Sequence, residues 1–402
     1  MTSTPLIRPT AQKYQATTSG SGVIQKYTAV GRFARISHGG TVYARDNVFS
    51  FSATAPFAVT SWAPAVNGIV NSIAFSGTNC ADAYIGGKFT SVNGRAVADI
   101  AEISTTTGGV VTTFGHSANG EVDTLLGVAG HILAGGYFKS VNGSPARFMV
   151  SLNPVTGKDD GYLSLNISGN YSYPGVSGNG TRVYNQQLSH GGTLDLVEGD
   201  FTSAGGLPRQ QIFMLSLGAA RATVTGWTSP EFSQHCATME PFYVRAASWS
   251  PSDAVVYIGT TGYHPDPGGT RGPRTGLCDA AAAFPATQAS VHHLWVNYTG
   301  CDSLYSTAAS TGAAYFGGHE RWADNSDGCD HAGPGAVSAP GMVGLFPSSG
   351  AVAWNPTRAR GLGADDMLLT GAGLWIASDN FHNGSQCGGV AGHAGICFMP
   401  YG

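Results

Sequence analysis

One phrase recurs three times in this chain and constrains its fold more than any other feature. It reads Gly86-Gly87-Lys88-Phe89-Thr90-Ser91-Val92-Asn93-Gly94, then Gly135-Gly136-Tyr137-Phe138-Lys139-Ser140-Val141-Asn142-Gly143. The third copy is Glu198-Gly199-Asp200-Phe201-Thr202-Ser203-Ala204-Gly205-Gly206. Each copy follows a short apolar run (83–85, 132–134, 194–197) and precedes an alternating one (100–103, 148–152, 212–217). A closing run with a bulky residue comes next: Phe114, Leu165 or Trp227. Weaker copies open at 255–259, 314–318 and 374–378, the first two closing at Trp295 and Trp354, and a shortened one spans 41–62. Self-similarity at such a period marks a repeat architecture.

Each unit reads as four short strands separated by Gly, Asn and Thr turns, with the period-two alternation of a half-buried antiparallel sheet. Units of about 40–55 residues with four strands are propeller blades. The expectation is therefore an all-β chain, a seven-bladed β-propeller of four-stranded antiparallel blades. The double Gly allows close backbone approach or positive φ, and the Phe two positions on packs between blades. The last unit has three runs and no fourth. Residues 23–28, which have no other partner, are expected to pair with 396–400 and close the ring, removing an open edge. A six-bladed ring, with the short first unit used only for closure, is the alternative. The domain reading is a tail or attachment segment over 1–22 and a single propeller domain over 23–402.

Composition agrees. Gly is 58 of 402 residues, about twice the usual share of roughly 7%. Charged residues are 11%, against about 25% in ordinary domains. This turn-rich content argues against helical bundles. Net charge is −4 with no basic patch, so nucleic acid is not an expected partner. No apolar run is long enough for a membrane helix, so no insertion is expected.

Seven Cys occur, none in a C-x-x-C pair. Cys387 with Cys397 reads as a loop staple. Cys236 with Cys278 and Cys301 with Cys329 are the next candidate pairs, leaving Cys80. Connectivity stays open at this level, reduced core thiols being the other reading. Disulfides would mean an oxidising exterior, yet residues 1–21 do not read as a signal peptide. Either a signal has been replaced by an initiator Met, or the protein reaches the exterior without secretion, as virion proteins do on host lysis. The Pro-, Ser- and Thr-rich start suits a segment that another chain holds.

The later units depart from the phrase in one place. Unit five has Tyr263 and His264, unit six has His319, Glu320, Arg321 and Trp322, and unit seven has Asp379 and His382. If these loops share a face, imidazoles, carboxylates and aromatic rings converge in one sector as a ligand-binding cluster, against the alternative that each His satisfies its own loop. Long insertions in units five and six (263–278, 322–342) lie beside it, and long loops on a rigid scaffold commonly bind. The His spacing follows the blade repeat and matches no metal signature, so no metal and no cofactor are expected. Nucleophile elbows, Walker loops and zinc-hydrolase phrases do not occur, and no catalytic residue is assigned. Asp365 and Asp366 are adjacent, which on a regular strand points them to opposite faces. His292 and His293 have no evident partner and take a structural reading.

The segments YIGGKFTSVNG and GGYFKSVNG resemble the delta-60-type β-propeller repeat of bacterial extracellular proteins, over residues 71–217. GHERW, AGPGAV, WNPTRARGLGADD and LWIASDN are similar to an actinobacterial and actinophage set of such propellers. The resemblance implies a rigid recognition platform like that of a phage minor tail protein. It would sit on the virion tail, turned toward a cell-surface glycan of an actinobacterial host, with other tail proteins as partners through the N-terminal segment. A secreted glycan-active enzyme on the same fold is the alternative, because a fold does not settle function.

Overall fold

The computed structural model describes residues 10–12, 26–75, 80, 82–171, 180–234, 236, 242–262, 276–287, 289–356, 363–378, 386–387, 390–391 and 395–400. These are strands and turns throughout, with one short 3-10 helix, Pro230–Ser233. The chain forms two compact units. Unit one comprises Met1–Ile167, Arg182–Gln186 and Gly218–Ala222; unit two comprises Ser168–Thr181, Gln187–Leu217 and Thr223–Gly402.

Unit one stacks three antiparallel sheets of the same design. They are Thr10–Gln12, Lys26–Val30 and Val48–Ser52; Ile69–Phe75, Asp82–Lys88 and Ile100–Ser104; and Val122–Val128, His131–Gly136 and Met149–Leu152. The expected fourth strand is here only a single bridge: Phe51 to Val59, Ile103 to Val110, Leu152 to Asp159. Unit two contains two full four-stranded sheets. One is Val244–Trp249, Val255–Thr260, Ala280–Pro285 and Trp295–Tyr298. The other is Leu304–Ala309, Ala314–Gly318, Met342–Leu345 and Val352–Trp354. Leu194–Asp200 also pairs with Ile212–Leu217, and Ala364–Thr370, Gly373–Ser378 and Ile396–Pro400 form a three-stranded sheet.

The double Gly has a specific cause. In five sheets the first strand slips by one residue against the second, between Val70 and Ser72, Val122 and Thr124, Val244 and Ala246, Leu304 and Ser306, and Ala364 and Asp366. In three of them a Gly pair faces this bulge. A Cβ on Gly87, Gly136 or Gly318 would stand 2.1–2.2 Å from a carbonyl oxygen of the first strand or of the residue before it. A Cβ on Gly86 would stand 2.5 Å from Val122 Cγ1, and one on Gly317 2.3 Å from Met367 Cε, both on the next sheet. One Gly makes room for the bulge and the other for the neighbouring sheet. The Phe that follows is buried in each clear copy (Phe89, Phe138, Phe201). Phe138 packs with Ala74, Tyr84 and Ile100 of the preceding sheet and with Val122 and Val141 of its own unit.

A second recurring device lies just before each third strand. Asn47, Asp99, Phe148, Gln211, Asp279, Gly341 and Gly395 all have positive φ, between 45° and 84°. The closing aromatics tie neighbouring sheets together. Trp62 Nε1 donates to Ser104 O at 3.0 Å, Trp227 Nε1 to Pro285 O at 2.9 Å and Trp295 Nε1 to Pro347 O at 2.8 Å.

The start of the chain corrects the closure expectation. Lys26–Val30 is the central strand of the first sheet, with both edges taken by Thr10–Gln12 and Val48–Ser52. Its residues 27–30 are all buried, the pattern of a strand covered on both faces and not of a strand added at an edge. Residues 10–12, read as tail, thus join the sheet. Residues 41–44, read as the opening of the first unit, form a solvent-facing hairpin with Arg35–His38 instead.

Disulfides join Cys236 to Cys278 and Cys301 to Cys329, while Cys80 is buried and belongs to neither. Cys397 is also disulfide-bonded; the side chain of Cys387 lies outside the described residues. No helix among the described residues is long and apolar enough to cross a membrane.

Candidate functional site

The Gly-Gly end of the sheets of unit two carries the described part of the expected cluster. Gly317-Gly318-His319-Glu320-Arg321-Trp322-Ala323-Asp324 follows the backbone path of the clear repeats. Trp322–Ala323 pairs with Val337–Ser338 as Ser91–Val92 pairs with Arg95–Ala96. Asp324 takes φ 51°, as Asn93 takes 49° and Asn142 takes 50°. Unit six therefore keeps the repeat and changes its side chains.

Each change can be read against its slot. Glu320 occupies the position of the plugging Phe and is fully buried. Arg321 occupies the position of Thr90. In the clear repeat, Thr90 N donates to Asn67 Oδ1 at 2.9 Å; here Arg321 N donates to Asp302 Oδ2 at 3.0 Å. The Arg321 side chain adds a fork to the same carboxylate, Nε to Oδ2 at 2.7 Å and Nη2 to Oδ1 at 2.8 Å. Nη2 also donates to Asp330 Oδ1 at 2.7 Å. The hydrogen bonds to Asp302 hold the guanidinium charge more firmly than usual. The guanidinium lies 4.5 Å from the Trp322 ring centre, a cation–π contact that fixes the indole.

The loop between Trp322 and Val337 is built around buried Asn325. Its Nδ2 donates to His331 O at 3.1 Å and its Oδ1 accepts from Gly333 N at 2.8 Å. Asn297 Nδ2 donates to Asp324 Oδ1 at 2.6 Å. Burial pushes the Asp324 carboxyl up, partly offset by that hydrogen bond. Cys301–Cys329 and the Arg321–Asp330 pair hold the loop from one side. His319, half-buried, lies with its ring 5.2 Å from that of Tyr305, whose hydroxyl is 3.4 Å from the imidazole.

The structure thus brings together His319, Glu320, Arg321 and Trp322. Of these, Glu320 is a buried plug and Arg321 a clamp, while His319 and Trp322 keep partial exposure. Tyr263, His264, Asp379 and His382 lie outside the described residues. His292 and His293, read as partnerless, both pair with Glu231, at 3.1 Å to Oε1 and 2.7 Å to Oε2. Glu231 sits on the 3-10 helix, so nothing in the sequence near the two His residues points to it. Among the described residues no three His, Cys, Asp or Glu side chains group as metal ligands would.

Sequence reading missed the residues in the bulges, Asn71 and Asp123 in unit one and Arg245 and Tyr305 in unit two, and took Asp365, also in a bulge, for a residue of a regular strand. In unit one they form a lateral chain. Asn71 Nδ2 donates to Glu121 Oε1 at 2.9 Å, and Arg182 binds Asp123 through Nε at 3.0 Å and Nη2 at 2.5 Å. Burial works against the Arg182 charge, but Asp123 and Glu121 outweigh it and hold the guanidinium protonated. The signal was present as V-N-S, V-D-T, V-R-A, L-Y-S and A-D-D at the start of each first strand.

No protein-family model matches the chain, and no curated protein matches it. Among solved structures it is similar to that of U3-55K, with a TM-score of 0.52 at 10% identity, covering 98% of each chain. It is also similar to the crystal structure of RRP9 WD40 repeats (TM-score 0.48, 10% identity, 98% of this chain and 97% of that one). The extracellular domain of the putative one component system BT4673 from B. thetaiotaomicron matches with a TM-score of 0.46 at 9% identity, over 98% of this chain and 39% of that one. The repeated antiparallel sheets and the first of these likenesses define the class: the fold is a β-propeller.

Proposed function

We propose that the protein is a recognition propeller of the virion tail, a minor tail protein that turns a pinned loop toward a cell-surface glycan of an actinobacterial host. The observation that carries the reading is the loop of unit six. A disulfide, a bidentate ion pair and a buried Asn hold residues 324–336 in one conformation next to half-buried Trp322 and His319. A loop ordered before its ligand arrives loses little entropy on binding. An indole and an imidazole beside it suit the apolar face and hydroxyls of a sugar. The disulfides favour an oxidising exterior, and the similarity of the repeat to actinophage propellers supplies the setting. The N-terminal segment would serve the contact to other tail proteins.

The test is sedimentation of the protein with host cell-wall glycan, comparing wild type with Trp322→Ala plus His319→Ala. Binding by wild type, weakened about tenfold or more in a double variant that keeps its melting temperature, is the expected result. Equal binding by the folded double variant would move the site away from this loop. Release of new reducing ends by wild type would replace recognition with glycan cleavage.

A further inference from the structure

Unit one gathers exposed cations at one end of its sheets. Its second strands, Lys26–Val30, Asp82–Lys88 and His131–Gly136, all run toward that end, where segments 31–47, 88–99 and 137–148 lead on to the third strands. These three segments hold seven Lys and Arg but only two acids, Asp46 and Asp99. Arg45 turns inward, its Nη2 donating to Thr60 O at 2.6 Å. The other six, Arg32, Arg35, Lys88, Arg95, Lys139 and Arg147, are exposed. Among the described residues none of the six forms an ion pair. The matching segments of unit two use their described cations differently: Arg209 is buried, and Arg321 is held between Asp302 and Asp330.

The three segments of unit one form a continuous rim. Val66 N donates to Asp46 O at 3.3 Å and Asn67 N to Ser91 O at 3.2 Å, joining the first segment to the second. Ala98 N donates to His116 O at 2.9 Å and Asn119 N to Ser140 O at 3.1 Å, joining the second to the third. Gly31 O accepts from Val70 N, and Val70 pairs with Gly87, so Arg32 and Lys88, each one residue further on, stand about 10 Å apart, two strand spacings. That is close to the Debye length of about 8 Å at physiological ionic strength, so cations on neighbouring segments act together on one ligand. A small anion would meet one or two of these charges, whereas a chain laid along the rim meets them all. The six residues are scattered along the sequence, which is why no basic run shows there.

We propose that this rim binds an acidic polysaccharide, a chain of sugars bearing carboxylates; for its setting on a cell surface this rests on the glycan reading above. Guanidinium groups take carboxylates in a two-pronged grip, and ammonium groups take them as point charges. A nucleic-acid strand would instead want several stacking rings, and Tyr137 is the one exposed Phe, Tyr or Trp among the described residues of unit one.

Calorimetric titration of the full chain with polygalacturonate, over a range of salt concentrations, tests this. Wild type should bind, with an affinity that falls steeply as salt rises. The triple variant Lys88→Gln, Arg95→Gln, Lys139→Gln should bind at least about tenfold more weakly and with a flatter salt dependence. The triple variant Lys26→Gln, Lys158→Gln, Arg221→Gln removes the same charge from the other end of the strands and should stay within about twofold of wild type. In the wild-type protein the polymer should slow acetylation of Lys88 and Lys139 but not of Lys158, a readout that needs no variant to fold. Equal losses in the two triple variants, or acetylation slowed alike at all three lysines, would reduce the effect to net charge and overturn the rim. Tighter binding of single-stranded DNA with the same number of charges would overturn the polysaccharide class. Wild type that ignores polygalacturonate but binds host cell-wall glycan through Trp322 overturns this inference alone. Wild type that binds neither overturns the glycan reading as well.

Discussion

Asp195 lies on Leu194–Asp200 with none of its surface exposed. Burial pushes its carboxyl well above the ordinary carboxylate range, the backbone N–H of Gln187 pulls it down, and nearby Glu198 pushes it up again. The folded chain then holds a proton that the unfolded chain releases, so this residue lowers stability as pH rises from the unfolded value toward the folded one. Asp195→Asn keeps the shape and removes the titration. Its melting temperature should match wild type near about pH 4 and exceed it increasingly toward neutrality. A constant difference across that range in thermal melts would show that the carboxyl is ionised in the fold. Asp160 runs the other way. Burial pushes it up, but hydrogen bonds from His131, Ser151 and the Tyr162 backbone, with the His131 charge, hold it below its ordinary value. It contributes stability above the ordinary carboxylate range, and that contribution is lost as pH falls through its folded value.

At the scale of the strand, the Gly pair and the bulge explain why part of this fold was readable and part was not. The phrase around Phe89, Phe138 and Phe201 survives in the sequence because bulge, sheet contact and plug each restrict the residue type. The unit-six copy keeps the backbone slot while exchanging Phe for Glu320 and Thr for Arg321, which reads as a broken repeat until the Asp302 fork is seen. The bulges escaped notice because a bulge shifts phase by one residue, as between Ala364 and Asp366, and a period-two reading of Asp365 and Asp366 has no place for that shift. Residues 23–28 are matched to the far end of the chain because no other partner is visible for them in the sequence, the three-residue strand Thr10–Gln12 being too short to show a pattern. Gly136 and Gly143 separate the two uses of glycine. A Cβ on Gly136 would stand 2.2 Å from Glu121 O, whereas one on Gly143 meets nothing within 4 Å and only the φ of 82° opposes it. Gly143→Ala should cost about 1 kcal/mol. Gly136→Ala should cost about 3 kcal/mol or more, because backbone on both strands must move. Urea unfolding of both variants checks the order, and equal costs would mean that the bulge relaxes freely.

Across the molecule, covalent reinforcement is uneven. Cys236–Cys278 and Cys301–Cys329 both lie in unit two, with sequence separations of 42 and 28. The described residues of unit one contain a single cysteine, Cys80, as a buried thiol. A cross-link over such spans stabilises mainly by restricting the unfolded chain, by roughly 3–4 kcal/mol each. Unit one instead relies on burial and on its Asn, Glu, Asp and Arg chain. Unit two also carries the long loop whose order depends on Asp302, Arg321 and the Cys301–Cys329 link. Mild reduction should therefore act on one unit. Amide exchange in Val244–Trp249 and Leu304–Ala309 should quicken on the order of a hundredfold, the equivalent of about 3 kcal/mol of lost protection. Exchange in Val122–Val128 and His131–Gly136 should stay as it was. Mass-resolved hydrogen exchange with and without reductant measures both at once. Quickening shared equally by the two units would show that they open as a single cooperative body, and that the cross-links of one sustain the strands of the other.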